Sequence, residues 1–103
     1  MAKICPLFSG SSGNCTYIET KDGAILIDAG VSFKRIKEAV ESVGGNIDNI
    51  KAVCVTHEHS DHITGLKTLL NKTDAVLFAS ATTLNTLASF EKIPAKTKVF
   101  EAL

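Results

Sequence analysis

The sequence predicts an α/β protein with one mixed β-sheet and flanking helices. Two observations carry this prediction. The first thirty residues alternate short apolar runs with turns of small residues, which is typical of antiparallel strands. From residue 33 onward, three segments with a helical apolar period alternate with further short apolar runs. Such an alternation predicts β-α-β units, whose strands run parallel.

The first predicted hairpin joins residues 3–9 to residues 14–21 through the sequence Gly-Ser-Ser-Gly. The second of these strands carries threonine, tyrosine and isoleucine, which are common in β-structure. If the two strands pair directly across the turn, Cys5 lies opposite Ile18. A disulfide between Cys5 and Cys15 is then not expected.

A second hairpin is predicted where Asp22-Gly23 follows the second strand, because this dipeptide is a strong signal for a two-residue loop. Residues 24–28 then form a third strand, which ends in the turn sequence Asp-Ala-Gly. The N-terminal part of the chain is therefore predicted to be a β-meander.

The first predicted helix has four apolar residues at helical spacing. They are Phe33, Ile36, Val40 and Val43. Ser32 is expected to cap its start, since a serine hydroxyl can accept a hydrogen bond from a free amide of the first turn. Gly44-Gly45 is expected to end it.

The remaining elements alternate strand and helix. Residues 51–56 form an apolar run without polar alternation, which predicts a strand covered on both faces. A second helix follows, with Ser60 or Asp61 near its cap. The last predicted elements are a strand at 75–79, a helix at 80–90 and a strand from 98 to 103.

All three histidines of the chain lie in the heptapeptide Thr-His-Glu-His-Ser-Asp-His, residues 56–62, at the end of a predicted strand. Neutral imidazole and carboxylate are usual ligands of divalent transition metals. Alternate side chains of an extended segment share one face, so His57 and His59 are expected to hold one metal ion together. Asp61 and His62 come where the chain turns into the next helix, and they can face a second metal ion.

There are two alternative interpretations of this motif. One is a metal ion that only stabilises a loop, and the other is a polar loop without metal. Structural zinc sites favour cysteine, and no cysteine lies near these residues in sequence. The motif also follows the carboxyl end of a strand, where α/β folds place their sites. We therefore favour a catalytic centre, in which two metals about 3.5–4 Å apart can share a bridging water and lower its pKa.

The composition limits the other functions. The 103 residues make one domain or part of one, and 11 basic and 11 acidic side chains give a net charge of zero. No overall basic field is present to attract nucleic acid without specificity. No apolar run is long enough to span a bilayer, and no signal peptide is visible. The three cysteines form no Cys-x-x-Cys pair, so we expect a cytoplasmic protein without a membrane partner.

The motif His57-Glu58-His59-Ser60-Asp61-His62 matches the H-x-H-x-D-H signature, and the chain therefore resembles the metallo-β-lactamase-fold hydrolases. The preceding strand, the turn at residues 28–30 and the N-terminal hairpins follow that family's order. The opening at residues 8–15, Phe-Ser-Gly-Ser-Ser-Gly-Asn-Cys, resembles the YycJ/WalJ-like branch of bacterial DNA exonucleases.

This resemblance implies roles for individual residues. His57 and His59 correspond to ligands of the first metal, and Asp61 and His62 to ligands of the second. Asp61 also receives a catalytic role, which is to orient the bridging hydroxide. Asp28 corresponds to an aspartate that supports the metal loop without binding the metal itself. The implied cofactors are two divalent metal ions, zinc or manganese.

The resemblance also implies that part of the site is supplied from elsewhere. The family's third histidine for the first metal, its bridging aspartate and its last histidine come later in the chain, and this sequence has no histidine outside residues 57–62. Residues 1–103 are therefore expected to be the N-terminal part of one αββα metallo-β-lactamase-fold domain whose C-terminal half is absent. We expect this piece to bind metal partially or not at all, to be inactive, and to self-associate through an uncovered sheet face.

The resemblance favours one function for the intact protein. This is hydrolysis of a phosphodiester, with DNA as the substrate, by a metal-activated hydroxide. One alternative is hydrolysis of a thioester, lactone or lactam within the same superfamily. Another is a non-catalytic, metal-binding and self-associating fragment.

The loop between the first two strands has two interpretations. Its residues are Ser9, Gly10, Ser11, Ser12, Gly13 and Asn14. Small residues let backbone N–H groups approach a phosphate, but no Gly-Lys-Ser or Gly-Lys-Thr follows, so the loop is not a P-loop. A tight hairpin turn explains the composition by itself. The branch resemblance instead favours a loop that lies beside the metals and contacts the substrate.

Overall fold

The computed structural model describes residues 3–102. These residues form a six-stranded sheet in which the strands lie in the order of the sequence. The strands are β1 (Lys3–Phe8), β2 (Cys15–Thr20), β3 (Gly23–Ile27), β4 (Ile50–Cys54), β5 (Val76–Ala79) and β6 (Val99–Glu101). The helices are α1 (Phe33–Ser42), α2 (Ser60–Ile63), α3 (Leu66–Lys72) and α4 (Ala81–Ser89), with a 3₁₀ turn at Ile47–Asn49. The predicted mixed sheet is confirmed, because β1 to β3 are antiparallel and β3 to β6 are parallel.

The register of the first hairpin differs from the prediction. A β-bulge between Pro6 and Phe8 adds one residue to β1, so that Cys5 lies opposite Tyr17 rather than Ile18. The three cysteines of the chain are free thiols.

The second hairpin has a two-residue loop, but one position earlier than predicted. Thr20 pairs with Gly23, so the loop consists of Lys21 and Asp22, and Gly23 begins β3. Gly23 has a φ of +139°, which a residue with a Cβ rarely adopts. Gly23 is therefore the first residue of β3 and not part of the loop.

Helix α1 begins and ends where the sequence predicts. The Ser32 hydroxyl accepts a hydrogen bond from the Arg35 amide at 3.4 Å. At the other end, the amides of Gly44 and Gly45 donate to carbonyls of the last helical turn, and Gly44 has a left-handed φ of +85°.

The predicted second helix is two short helices, α2 and α3, divided at Gly65. The Gly65 amide donates to the Ala29 carbonyl at 2.8 Å, outside the helix. A Cβ at Gly65 would overlap the Val31 carbonyl oxygen, so only glycine allows this approach. Ser60 and Asp61 lie near the cap as predicted, because they are the first two residues of α2, and the N-cap itself is His59, which makes no side-chain cap hydrogen bond.

The core lies on one face of the sheet. Buried strand residues such as Tyr17, Leu26, Val53 and Leu77 form one cluster with the buried residues of the helices. The helix residues in this cluster are Ile36, Val40, Ile63, Leu66, Leu69, Leu70 and Leu87. Phe33 and Leu84 are partly buried and pack against this cluster.

The opposite face of the sheet, called the open face below, is apolar but only partly buried. Two cross-strand rows of side chains form it. They are Ile4, Ile18, Ile25, Ala52 and Val76, and Pro6, Thr16, Ile27, Cys54, Phe78 and Phe100. Ile4 is 65% exposed and Phe100 is 46% exposed. The prediction that β4 is covered on both faces is therefore wrong for this chain.

The helices of residues 3–102 are all too short or too polar to cross a bilayer.

Candidate metal centre

The histidine motif lies at the carboxyl edge of the parallel part of the sheet. Asp28 directly follows β3, and residues 55–59 connect β4 to α2. Because β3, β4 and β5 are parallel, their carboxyl ends meet at one edge. Side chains far apart in sequence are thus brought to the same place.

Asp28 is in hydrogen-bonding contact with two residues of the histidine motif, Thr56 and His62. It is 5% exposed, and its Oδ1 accepts a hydrogen bond from the Thr56 amide at 2.7 Å. Its Oδ2 accepts from the Thr56 hydroxyl at 2.6 Å and lies 2.7 Å from His62 Nδ1. Asp28 has a φ of +66°, a left-handed conformation that aspartate tolerates better than most residues. One buried carboxylate therefore fixes both the end of β4 and the imidazole of His62.

The contact with Asp28 determines how His62 can act. A neutral imidazole that donates from Nδ1 to a carboxylate keeps its Nε2 lone pair free, as metal-binding histidines usually do. His62 Nε2 lies 3.5 Å from Asp61 Oδ2. An imidazole nitrogen and a carboxylate oxygen are thus next to each other at this edge, and this donor pair fits a divalent metal ion.

His57 and His59 are both exposed on the loop before α2. The ring centroid of His57 lies 4.9 Å from that of His62 and 6.2 Å from that of His59. His57 Nδ1 is 3.2 Å from the Thr56 hydroxyl. Within residues 3–102, no three side chains of histidine, cysteine, aspartate or glutamate converge closely enough to form a finished ligand set. The four predicted ligands therefore lie at the same edge of the sheet but do not form a single metal-binding cluster.

The loop of residues 9–14 lies beside the motif. The backbone amide of Asn14 donates a hydrogen bond to the Asp61 carbonyl at 2.8 Å. Within the turn, the backbone amide of Gly13 donates to the Gly10 carbonyl. Ser9, Gly10, Ser11 and Ser12 are exposed, whereas Gly13 is buried. A Cβ at Gly13 would overlap the Val31 side chain, so this position requires glycine for space as well as for its φ of +145°.

Two further residues, Thr56 and Glu58, shape this edge. Thr56 bonds to Asp28 through both its amide and its hydroxyl. Glu58 Oε2 accepts a hydrogen bond from the Thr83 hydroxyl at 3.1 Å, which ties the loop to the first turn of α4. Hydrogen bonds from its own backbone amide and from Thr83 lower the pKa of Glu58, with a smaller effect from the neighbouring histidines. No local sequence signal reveals either contact.

The two cysteines near this edge are poor metal ligands. Burial raises the pKa of Cys15 to about 12, and the Asp28 carboxylate adds to the effect. Burial and the same carboxylate also raise the pKa of Cys54. Both thiols stay protonated at neutral pH, and the thiolate is the form that binds metal. The chemistry of the edge is therefore that of imidazole and carboxylate.

Comparison with known proteins gives a consistent result. A model of the metallo-beta-lactamase superfamily matches residues 9–101. Exodeoxyribonuclease YycJ of Bacillus anthracis is 41% identical over 81 residues, which are 79% of this chain and 31% of that protein. Exodeoxyribonuclease WalJ of Streptococcus pneumoniae serotype 2 (strain D39) is 42% identical over 81 residues, 79% of this chain and 30% of that protein. The chain thus spans less than a third of the length of either relative.

Among solved structures, the Rm3 metallo-beta-lactamase superposes with a TM-score of 0.77 at 23% sequence identity. The superposition covers 97% of this chain and 45% of that chain. At this identity the likeness concerns the fold.

Proposed function

The chain belongs to the metallo-beta-lactamase superfamily, and from this premise we propose that it is the N-terminal part of a nuclease that hydrolyses phosphodiester bonds in DNA. The predicted metallo-β-lactamase fold is confirmed, and the named relatives are hydrolases. The choice of DNA is supported by two relatives that are named exodeoxyribonucleases. The three free cysteines fit a reducing cytoplasm, where we place this activity.

The observation that carries the catalytic proposal is the hydrogen bond of 2.7 Å between Asp28 and His62. It holds the imidazole proton on Nδ1 and leaves Nε2 beside the Asp61 carboxylate. We assign His57, His59, Asp61 and His62 as metal ligands. Two divalent ions, zinc or manganese, would lower the pKa of a bound water molecule and would stabilise negative charge on the phosphoryl oxygens.

The chain's own residues would orient the reaction. The Asp61 carboxylate can accept a hydrogen bond from the attacking water and so direct its lone pair toward the phosphorus. Asp28 keeps His62 in one tautomer, and Thr56 keeps Asp28 in place through two hydrogen bonds. The loop at residues 9–14 is hydrogen-bonded to the motif through Asn14 and Asp61, and its exposed serines are proposed to contact the DNA backbone.

The function is tested by comparing this chain with a version extended to the length of its relatives. Each is incubated with manganese or zinc and with end-labelled DNA, matched RNA, a thioester and a β-lactam. The extended chain is expected to shorten DNA in a metal-dependent manner. The 103-residue chain is expected to stay at background, because its only imidazoles are those of residues 57–62.

The control for this experiment is the extended chain with His57→Ala and His59→Ala, which should lose the metal-dependent activity. Cleavage of the thioester or the lactam without cleavage of DNA would contradict the nuclease proposal. It would instead favour another hydrolase of the superfamily.

The variant Asp28→Asn is expected to weaken zinc binding by about 10–100-fold, since residues that orient metal ligands typically have this effect. Asparagine keeps the size and the tolerance for a left-handed φ, but in either orientation its NH₂ group would face a donor, which is the Thr56 amide at one position or the Thr56 hydroxyl and His62 Nδ1 at the other. The free energy of unfolding should also fall by about 1–3 kcal/mol. Calorimetry with zinc and urea denaturation without metal measure the two effects.

Asp48→Asn is the matched control, because Asp48 is an exposed carboxylate on the 3₁₀ turn away from the motif. It should leave both quantities unchanged. Unaltered zinc affinity in Asp28→Asn would argue against the role assigned to this carboxylate.

We also propose that the isolated chain self-associates through the open face. Apolar patches of this kind drive pairing in solution. Sedimentation velocity should show a species heavier than the monomer, and Ile25→Lys in the middle of the open face should restore the monomer. Phe90→Lys is the control, because Phe90 is 65% exposed but lies at the end of α4 rather than in the sheet. A wild-type chain that stays monomeric at high concentration would refute this proposal.

A further inference from the structure

We propose that Asn14 is a positioning residue that fixes the carboxylate of Asp61 at the metal centre. This inference rests on the proposed function, because it assumes that Asp61 is a metal ligand. The turn at residues 10–14 then serves the site by a hydrogen bond to a ligand, in addition to any contact with substrate.

The side-chain amide of Asn14 is fully engaged. Its Nδ2 lies 3.3 Å from Asp61 Oδ2, 3.1 Å from the Asp61 carbonyl oxygen and 2.9 Å from the Gly10 carbonyl oxygen. Its Oδ1 accepts a hydrogen bond from the Gly10 amide at 3.2 Å. The two N–H groups of Nδ2 are therefore shared among three oxygen acceptors.

These partners allow one orientation of the amide. A flipped side chain would turn Oδ1 toward the carboxylate and two carbonyl oxygens, and would turn NH₂ toward the Gly10 amide. Every contact would then join two acceptors or two donors. The contacts with Gly10 therefore select the orientation in which the NH₂ group of Asn14 faces Asp61.

The Asp61 oxygen that faces Asn14 also lies near His62. Asp61 Oδ2 lies 3.5 Å from His62 Nε2, and His62 is held by Asp28. The carboxylate oxygen therefore lies between the amide of Asn14 and the imidazole of His62. The Asp61 side chain is 28% exposed, so loss of the Asn14 contact would free it to rotate toward solvent.

The backbone contacts of Asn14 are independent of its side chain. Its amide donates to the Asp61 carbonyl, and its carbonyl accepts from the Gly30 amide, each at 2.8 Å. Any residue except proline can make these two bonds at position 14 and keep the turn against the motif. A substitution at Asn14 can therefore remove the contact with the carboxylate while the chain path is retained.

The test is a double-mutant cycle on zinc affinity, measured by calorimetry for the wild type, Asn14→Ala, Asp61→Ala and the double variant. In the wild-type background, Asn14→Ala should weaken binding by about tenfold. In the Asp61→Ala background it should have no effect, because its target is gone. A merely structural role predicts the same loss in both backgrounds.

The same four chains are unfolded in urea without metal. If the contact exists, the two single substitutions should be coupled, with an interaction that changes the unfolding equilibrium constant by about threefold or more. Asn14→Asp serves as a second variant that retains the acceptor for Gly10 and sets a carboxylate against Asp61. It should weaken zinc binding more than Asn14→Ala does.

Asn46→Ala is the matched control, because Asn46 also uses its amide side chain in a turn, where it accepts from the Asp48 amide at 2.9 Å. It should leave the zinc affinity unchanged. Equal losses from Asn14→Ala with and without Asp61 would overturn the positioning role while the metal site stands. If the wild-type chain binds no zinc, the urea cycle decides, and absence of coupling between Asn14 and Asp61 in that cycle would overturn the positioning role while the proposed function stands.

Discussion

Zinc binding by this chain is expected to fall by at least about 100-fold in the double variant His57→Ala/His59→Ala. Structural zinc is bound with about 10–16 kcal/mol by four ligands, so that one ligand contributes about 3 kcal/mol on average. Loss of one such contribution corresponds to about 100-fold in affinity, and the variant removes two imidazoles. Both histidines are exposed, so their removal should leave the fold intact.

Calorimetry with zinc measures the loss, and circular dichroism verifies the fold. The control is Asp22→Ala/Asp48→Ala, which removes two exposed carboxylates remote from the motif and tests for adventitious binding. The affinity of this control should equal that of the wild type. If instead the histidine variant binds zinc as the wild type does, the assignment of these ligands is wrong.

Gly30→Ala is expected to lower the free energy of unfolding by about 3 kcal/mol or more, at the upper end of the range for overpacking. A Cβ at Gly30 would overlap the Asp61 carbonyl oxygen and the Asn14 amide nitrogen. Both are backbone atoms, and they are hydrogen-bonded to each other at 2.8 Å, so neither can move aside without weakening that bond. The cost is one of space, since Gly30 does not have a left-handed φ.

Gly10→Ala provides the comparison for this prediction. Gly10 has a φ of +111°, but a Cβ there would meet no atom within 4 Å. Its replacement should cost about 1–2 kcal/mol from backbone conformation alone. Urea denaturation of both variants separates the two effects. Similar losses in the two proteins would mean that the contact of Gly30 with the motif is looser than the structure indicates.

The elements that could be predicted from the sequence are those specified by local patterns. The caps of α1 follow from Ser32 and from Gly44-Gly45, and the alternation of strands and helices follows from the apolar period. The shift of Cys5 to a place opposite Tyr17 depends on a bulge that no single residue signals. The break at Gly65 depends on a backbone contact with Val31, which is distant in sequence.

The same distinction holds for the candidate site. The heptapeptide and Asp28 stand out in the sequence through their residue types and their positions after strands. The contacts of Glu58 with Thr83 and of Asn14 with Asp61 join segments 25 and 47 residues apart. They arise only when the sheet brings its loops to one edge, so no local pattern contains them. The assignment of the ligands themselves stays a prediction.

The order of the strands has a consequence for how the chain folds. Each strand pairs only with its neighbours in sequence, from β1 through β6. During synthesis the N-terminal part emerges first, so the sheet can grow one strand at a time as the chain leaves the ribosome. Asp28 can meet Thr56 and His62 once β4 and the start of α2 have been added, before β5 exists. Throughout this growth the nascent sheet would carry its open face as an aggregation-prone surface.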